Sequence, residues 1–120
     1  MPASEQEVEK LIVIGYLRRS KERRAATASL EEQAARIRAY CETQEWVLAR
    51  MVTDDCVSSG RREPWLADLV VALEANPRAE RVVVLAEVLA WLEANGAEAW
   101  RRVVAWFEAR GVRVVEVPPG

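Results

Sequence analysis

Four short apolar runs, with a helix-length segment between each pair, constrain this chain more than any other feature. They are LIVIGY (11–16), WVLARMVT (46–53), RVVVLA (81–86) and VRVVEV (112–117). Each has the length of a strand and the β-branched content that strands favour. The first run is continuously apolar rather than alternating, as in a strand covered on both faces. The segments between them carry helix signals. Ser29 precedes Leu30, Ala34, Ile37 and Cys41 at helical spacing, to about Thr43, and Glu32 stands where a capping box needs it. Pro64 suits the first turn of a helix filled by WLADLVVALEA and ended by Asn76-Pro77. EVLAWLEAN (87–95) is helix-capable and stops near Gly96. AEAWRRVVAWFEAR (97–110) sets Trp100, Val103, Val104 and Phe107 on one side, with Gly111 as its C-cap. The order β-α-β-α-β-α-β predicts an α/β fold: a mostly parallel, four- to five-stranded sheet with helices on both faces. Residues 1–10, polar and acidic, read as an arm, and 11–120 as one domain.

Composition removes several function classes. With 120 residues, 51% hydrophobic and 30% charged, the chain can bury a core. Its net charge of −2 argues against a surface built for tight nucleic-acid binding. There is no histidine, so neither a Cys/His zinc cluster nor a histidine-based triad can form. Two cysteines, Cys41 and Cys56, without a signal-peptide pattern point to a reducing cytoplasm, Cys41 in the core and Cys56 in a loop. The apolar runs fall far short of the ~20 residues a membrane span needs.

Parallel sheets gather ligand groups at the carboxyl ends of their strands. The first strand ends in IGYLRRS (14–20), the second in DDCVSSGRRE (54–63), and the third runs into residues 87–91. These three places are expected to surround one cleft. Arg18 and Arg19 read either as an anion site or, with Lys21, Arg23 and Arg24, as a solvated basic loop. Ser20 reads either as a nucleophile beside those cations or as a loop serine. Trp91, Trp100 and Trp106 are core residues or anchors of an interface.

Taken in order, these residues resemble the catalytic domain of serine recombinases of the resolvase/invertase type. GYLRRS resembles the Tyr-x-Arg-x-Ser signature of that family's first strand. SLEEQ (29–33) resembles the Ser-Leu-x-x-Gln that opens the next helix, with Gln33 in the glutamine position. DDCVSSG (54–60) resembles its Asp-x-x-x-Ser-Gly loop, which gives Asp55 and Ser59 those positions. The likeness spans about residues 11–117. It implies that Ser20 holds the place of a nucleophile that attacks a DNA phosphodiester and becomes joined to a 5′ phosphate. It likewise implies that Arg18 is the neighbouring phosphate-binding arginine.

A phosphodiester under attack builds charge on its nonbridging oxygens, and without a metal arginines must meet it. The resemblance implies one arginine after the Ser-Gly loop and two more in an Asp-Arg-Leu-x-Arg stretch after the third strand. Here Glu63 occupies the first position, with Arg62 beside it. The second stretch is Glu87, Val88, Leu89, Ala90 and Trp91. Each lost cation removes ~3 kcal/mol of transition-state stabilisation. Two losses slow the reaction roughly 10⁴-fold. The expectation is a degenerate site (Ser20 and Arg18 vestigial; Arg18, Arg19 and Arg62 the remaining anion-binding candidates) in a cytoplasmic interaction or regulatory module. It would need no cofactor or metal, bind DNA weakly and without sequence preference, and self-associate or bind another protein, away from membranes. The alternative is an active serine recombinase, or a fragment of one, working through a 5′-phosphoserine. A third reading is a small-anion module built on Arg18 and Arg19.

Overall fold

The computed structural model describes residues 10–19, 29–55, 64–95 and 97–119. Its elements are β1 (Ile12–Arg19), α1 (Leu30–Gln44), β2 (Val47–Asp55), α2 (Pro64–Ala75), β3 (Ala79–Leu85), α3 (Ala86–Asn95), α4 (Ala97–Ala109) and β4 (Arg113–Val117). The four strands form one sheet in the order β2-β1-β3-β4, and every neighbouring pair is parallel. The expected α/β architecture is therefore present, with four strands.

β1 and β3 occupy the middle of the sheet. Val13, Ile14, Tyr16 and Leu17, and all of Val82–Leu85, are buried, so both faces of the central strands are covered. Ala34, Ile37 and Cys41 of α1, Leu69, Ala72 and Leu73 of α2, Val88 and Leu92 of α3, and Ala99, Trp100, Val103 and Phe107 of α4 complete the core. Trp100 and Phe107 meet edge to face at 6.3 Å between centroids. Gly15 sits close against side chains of both β2 and α1. A Cβ there would lie 2.6 Å from Met51 Sδ and 3.1 Å from Ile37 Cγ2.

The helix ends follow their local chemistry. Ser29 accepts from Glu32 N–H while the Glu32 carboxylate accepts from Ser29 N–H, the reciprocal capping box. At the end of α4, Gly111 adopts φ +76°. Its N–H donates to Glu108 C=O and that of Val112 to Phe107 C=O, a Schellman closure. α1 closes in the same way without a glycine. Glu45, at φ 63°, donates to Glu42 C=O, and Trp46 N–H donates to Cys41 C=O.

Several boundaries differ from the sequence reading. β1 runs three residues past the apolar stretch, to Arg19, because Leu17, Arg18 and Arg19 continue the ladder opposite Thr53, Asp54 and Asp55 of β2. β3 starts at Ala79 and ends at Leu85, and Ala86 already belongs to α3. Val104 is half-buried, whereas Trp100 and Phe107 are fully inside.

Candidate functional site

The carboxyl ends of β1, β2 and β3 lie side by side, with Tyr16 opposite both Val52 and Val84. The β1–β3 ladder ends at that pair. Two residues further on, the buried carboxamide of Gln33 takes both backbone groups of Arg18. Its Oε1 accepts from Arg18 N–H at 3.1 Å, and its Nε2 donates to Arg18 C=O at 2.9 Å. A side-chain amide thus does for Arg18 what another strand would do, and Gln33 is 2% exposed. The first turn of α1, set by the Ser29 cap, thereby fixes the backbone that leads to Ser20.

The side chain of Arg18 is 7% exposed, and its Cζ lies 3.7 Å from the centroid of a Trp91 ring. This is cation–π stacking in a largely dehydrated setting. Glu87 stands one helical turn before Trp91 on α3, on the same side. It is held by Arg36 of α1, whose Nη1 donates to Glu87 Oε2 and whose Nη2 lies 3.4 Å from Glu87 Oε1. The same Nη2 reaches Pro118 C=O at 3.4 Å. The hydrogen bond from Arg36 holds the Glu87 carboxyl below the usual carboxylate range, against a smaller upward push from burial. Val88, between these two residues, points into the core and is 6% exposed. Arg19 completes β1 opposite Asp55.

The structure therefore brings Arg18, Gln33, Glu87, Val88 and Trp91 to one end of the sheet. Ser20, Cys56, Ser59, Arg62, Glu63 and the acidic stretch 1–9 lie outside the described residues. Sequence reasoning missed Arg36. Its signal was its spacing: three residues after Gln33 on α1, it shares the face that meets the ends of β1 and α3. The missed partner changes the electrostatics of the cleft, because the negative charge of Glu87 is neutralised at its source.

Chemically, the cluster is two arginines already engaged. A phosphate drawn to Arg36 competes with a bidentate carboxylate. One drawn to Arg18 meets a guanidinium stacked against an indole. Among the described residues, no group of three acidic, cysteine or histidine side chains could hold a metal ion.

The parallel four-stranded sheet with its four helices defines an α/β domain, and the end of its central strand brings Arg18, Gln33 and Trp91 together. The family described as "Resolvase, N terminal domain" matches residues 13–118, and the chain belongs to that family. No curated protein matches the chain. No helix among the described residues is long and apolar enough to cross a membrane.

Proposed function

We propose that this chain is a serine-recombinase-like domain that does not cut DNA and acts instead as an interaction or regulatory module, with weak, sequence-independent DNA association. The observation that carries the reading is the state of the two positions where the family resemblance implies arginines. Val88 is part of the hydrophobic core, and Trp91 is stacked on Arg18. No rotamer of either supplies a cation, and the arginine that remains already has an aromatic partner. The arm at 1–10, the single domain over 11–120 and a cytoplasmic location belong to the same reading.

The test uses supercoiled plasmid and a labelled random-sequence duplex. The proposal expects the plasmid to stay intact and the duplex to bind weakly, with affinity falling steeply as salt rises, since phosphate contacts release counterions. Plasmid nicking that is lost in Ser20→Ala, or binding that survives about 200 mM salt and prefers one sequence, contradicts it.

One observation favours the second reading, an active recombinase or part of one working through a 5′-phosphoserine. The Gln33 clamp on Arg18 is fully formed, so the backbone leading to Ser20 is still held as a site would need.

A further inference from the structure

Val88 and Trp91 fill the places on α3 where the family resemblance implies arginines. Arg36 reaches the same part of α3 from α1, through Glu87. Its place is tied to that of Arg18 twice over. On α1, Gln33, which holds the Arg18 backbone, stands one turn before Arg36. On α3, Glu87, which engages Arg36, stands one turn before Trp91, the ring against Arg18. The two guanidinium groups therefore rest on consecutive turns of one helix, with their supports about 6 Å apart.

The two differ in access. Arg18 is 7% exposed and stacked on an indole, whereas the Arg36 side chain is 28% exposed. What occupies Arg36 is a carboxylate. Its Nη1 donates to Glu87 Oε2, and its Nη2 lies 3.4 Å from Glu87 Oε1. A guanidinium engages two oxygens of a phosphate in the same manner. The Glu87 side chain is itself 41% exposed, so it can turn into water without burying an unpaired charge. Arg36 Nη2 also reaches Pro118 C=O, a neutral acceptor that keeps the guanidinium at this end of the sheet when the carboxylate leaves.

We propose that Glu87 is a built-in stand-in for a phosphate group, and that its departure opens Arg36 as the binding site for one, free or in a nucleic-acid backbone. Arg36 then supplies, from α1, a cation of the kind that Val88 and Trp91 do not. The inference rests on the proposed reading, in which the domain meets DNA without cutting it, and it names what keeps that contact weak. Plasmid nicking is read separately and decides the proposed function, so the two can fail independently.

The test titrates the full chain with inorganic phosphate, following the Nε–Hε resonance of Arg36, and with a labelled random-sequence duplex, followed by polarisation. In the wild type, phosphate from about 1 mM to about 50 mM is expected to move the Arg36 resonance little and without saturation. Glu87→Gln keeps the shape and gives up the charge, and is expected to bind phosphate at Arg36 roughly fivefold or more tightly than the wild type. Glu108→Gln, which removes an exposed charge of the same kind from α4, is expected to change little. Adding Arg36→Met to Glu87→Gln is expected to abolish the gain. Circular dichroism checks folding; should Glu87→Gln fail to fold, Glu87→Ala takes its place with the same expectation. A gain for phosphate alone supports a small-anion site, and a gain for both probes supports a nucleic-acid backbone site. No gain for either probe, an equal gain in Glu108→Gln, or a gain that persists with Arg36→Met overturns the proposal.

Discussion

The guanidinium of Arg18 lies 3.7 Å from the centroid of the Trp91 ring, joining the end of the first strand to the first turns of α3. This contact unites two features that look unrelated in the sequence: an arginine for which the family resemblance implies a phosphate-binding role, and a tryptophan where the resemblance implies another arginine. Exchanging a cation for an indole removes repulsion between two guanidinium groups and replaces it with attraction. On the proposed reading, this end of the sheet is a packed surface rather than a receptive one.

The stack therefore contributes to stability. Trp91→Ala is expected to cost about 2–3 kcal/mol, from lost burial and lost cation–π attraction. A double-mutant cycle with Arg18→Met should return a coupling of about 1 kcal/mol in urea unfolding. Additive losses would mean that the two side chains merely sit near each other.

Gln33 holds the other side of the same residue. In Gln33→Ala the N–H and C=O of Arg18 lose a buried partner each, at a cost of about 2–3 kcal/mol. Hydrogen exchange at the Arg18 amide should accelerate by more than the loss of global stability explains. Unchanged exchange relative to that loss would show that the carboxamide does not protect the strand end.

Arg36 and Glu87 give the fold a specific acid sensitivity. The folded carboxyl of Glu87 titrates below its unfolded value, so in the window between the two the unfolded chain binds more protons. The stability contributed is complete above the ordinary glutamate range and is lost as the pH falls through the folded value. With the Glu87 side chain 41% exposed, solvent screening keeps the effect below about 1 kcal/mol. Nuclear magnetic resonance titration of the Glu87 carboxyl should show its midpoint moving up in Arg36→Met. A midpoint that does not move would assign the shift to something other than Arg36.

The closure of α1 leaves room for improvement. Glu45 adopts the left-handed conformation at φ 63°, ψ 39°, which costs a side-chain-bearing residue about 1 kcal/mol. Glu45→Gly is expected to raise stability by about 0.5–1 kcal/mol, and Gly111→Ala, at φ +76°, to lower it by a similar amount. Thermal unfolding checks both signs.

Much of the fold was legible because its signals are local. The Ser29–Glu32 box, Pro64, Asn76-Pro77 and Gly111 mark helix ends through single residues, and the continuous apolar runs announce strands buried on both faces. What was missed depends on distant partners. Arg18 and Arg19 look like loop residues until β2 and Gln33 supply their hydrogen bonds. Glu45 has no local signature, since its conformation is imposed by α1 meeting β2. At the site, the family resemblance pointed to Glu63, Val88 and Trp91 as positions where it implies arginines. The stacking of Arg18 on Trp91 and the pairing of Arg36 with Glu87 join residues 73 and 51 positions apart, beyond what periodicity can reveal.

The central claim, that this recombinase-family domain does not form a phosphoserine bond to DNA, is tested most directly by covalent capture. The chain is incubated with a pool of nicked suicide duplexes whose centres are randomised, so that no particular target sequence is assumed, and protein–DNA adducts are sought by denaturing gel and intact mass. The account predicts no adduct in the wild type and none in Ser20→Ala. An adduct that forms in the wild type, maps to Ser20 and vanishes in Ser20→Ala would contradict it.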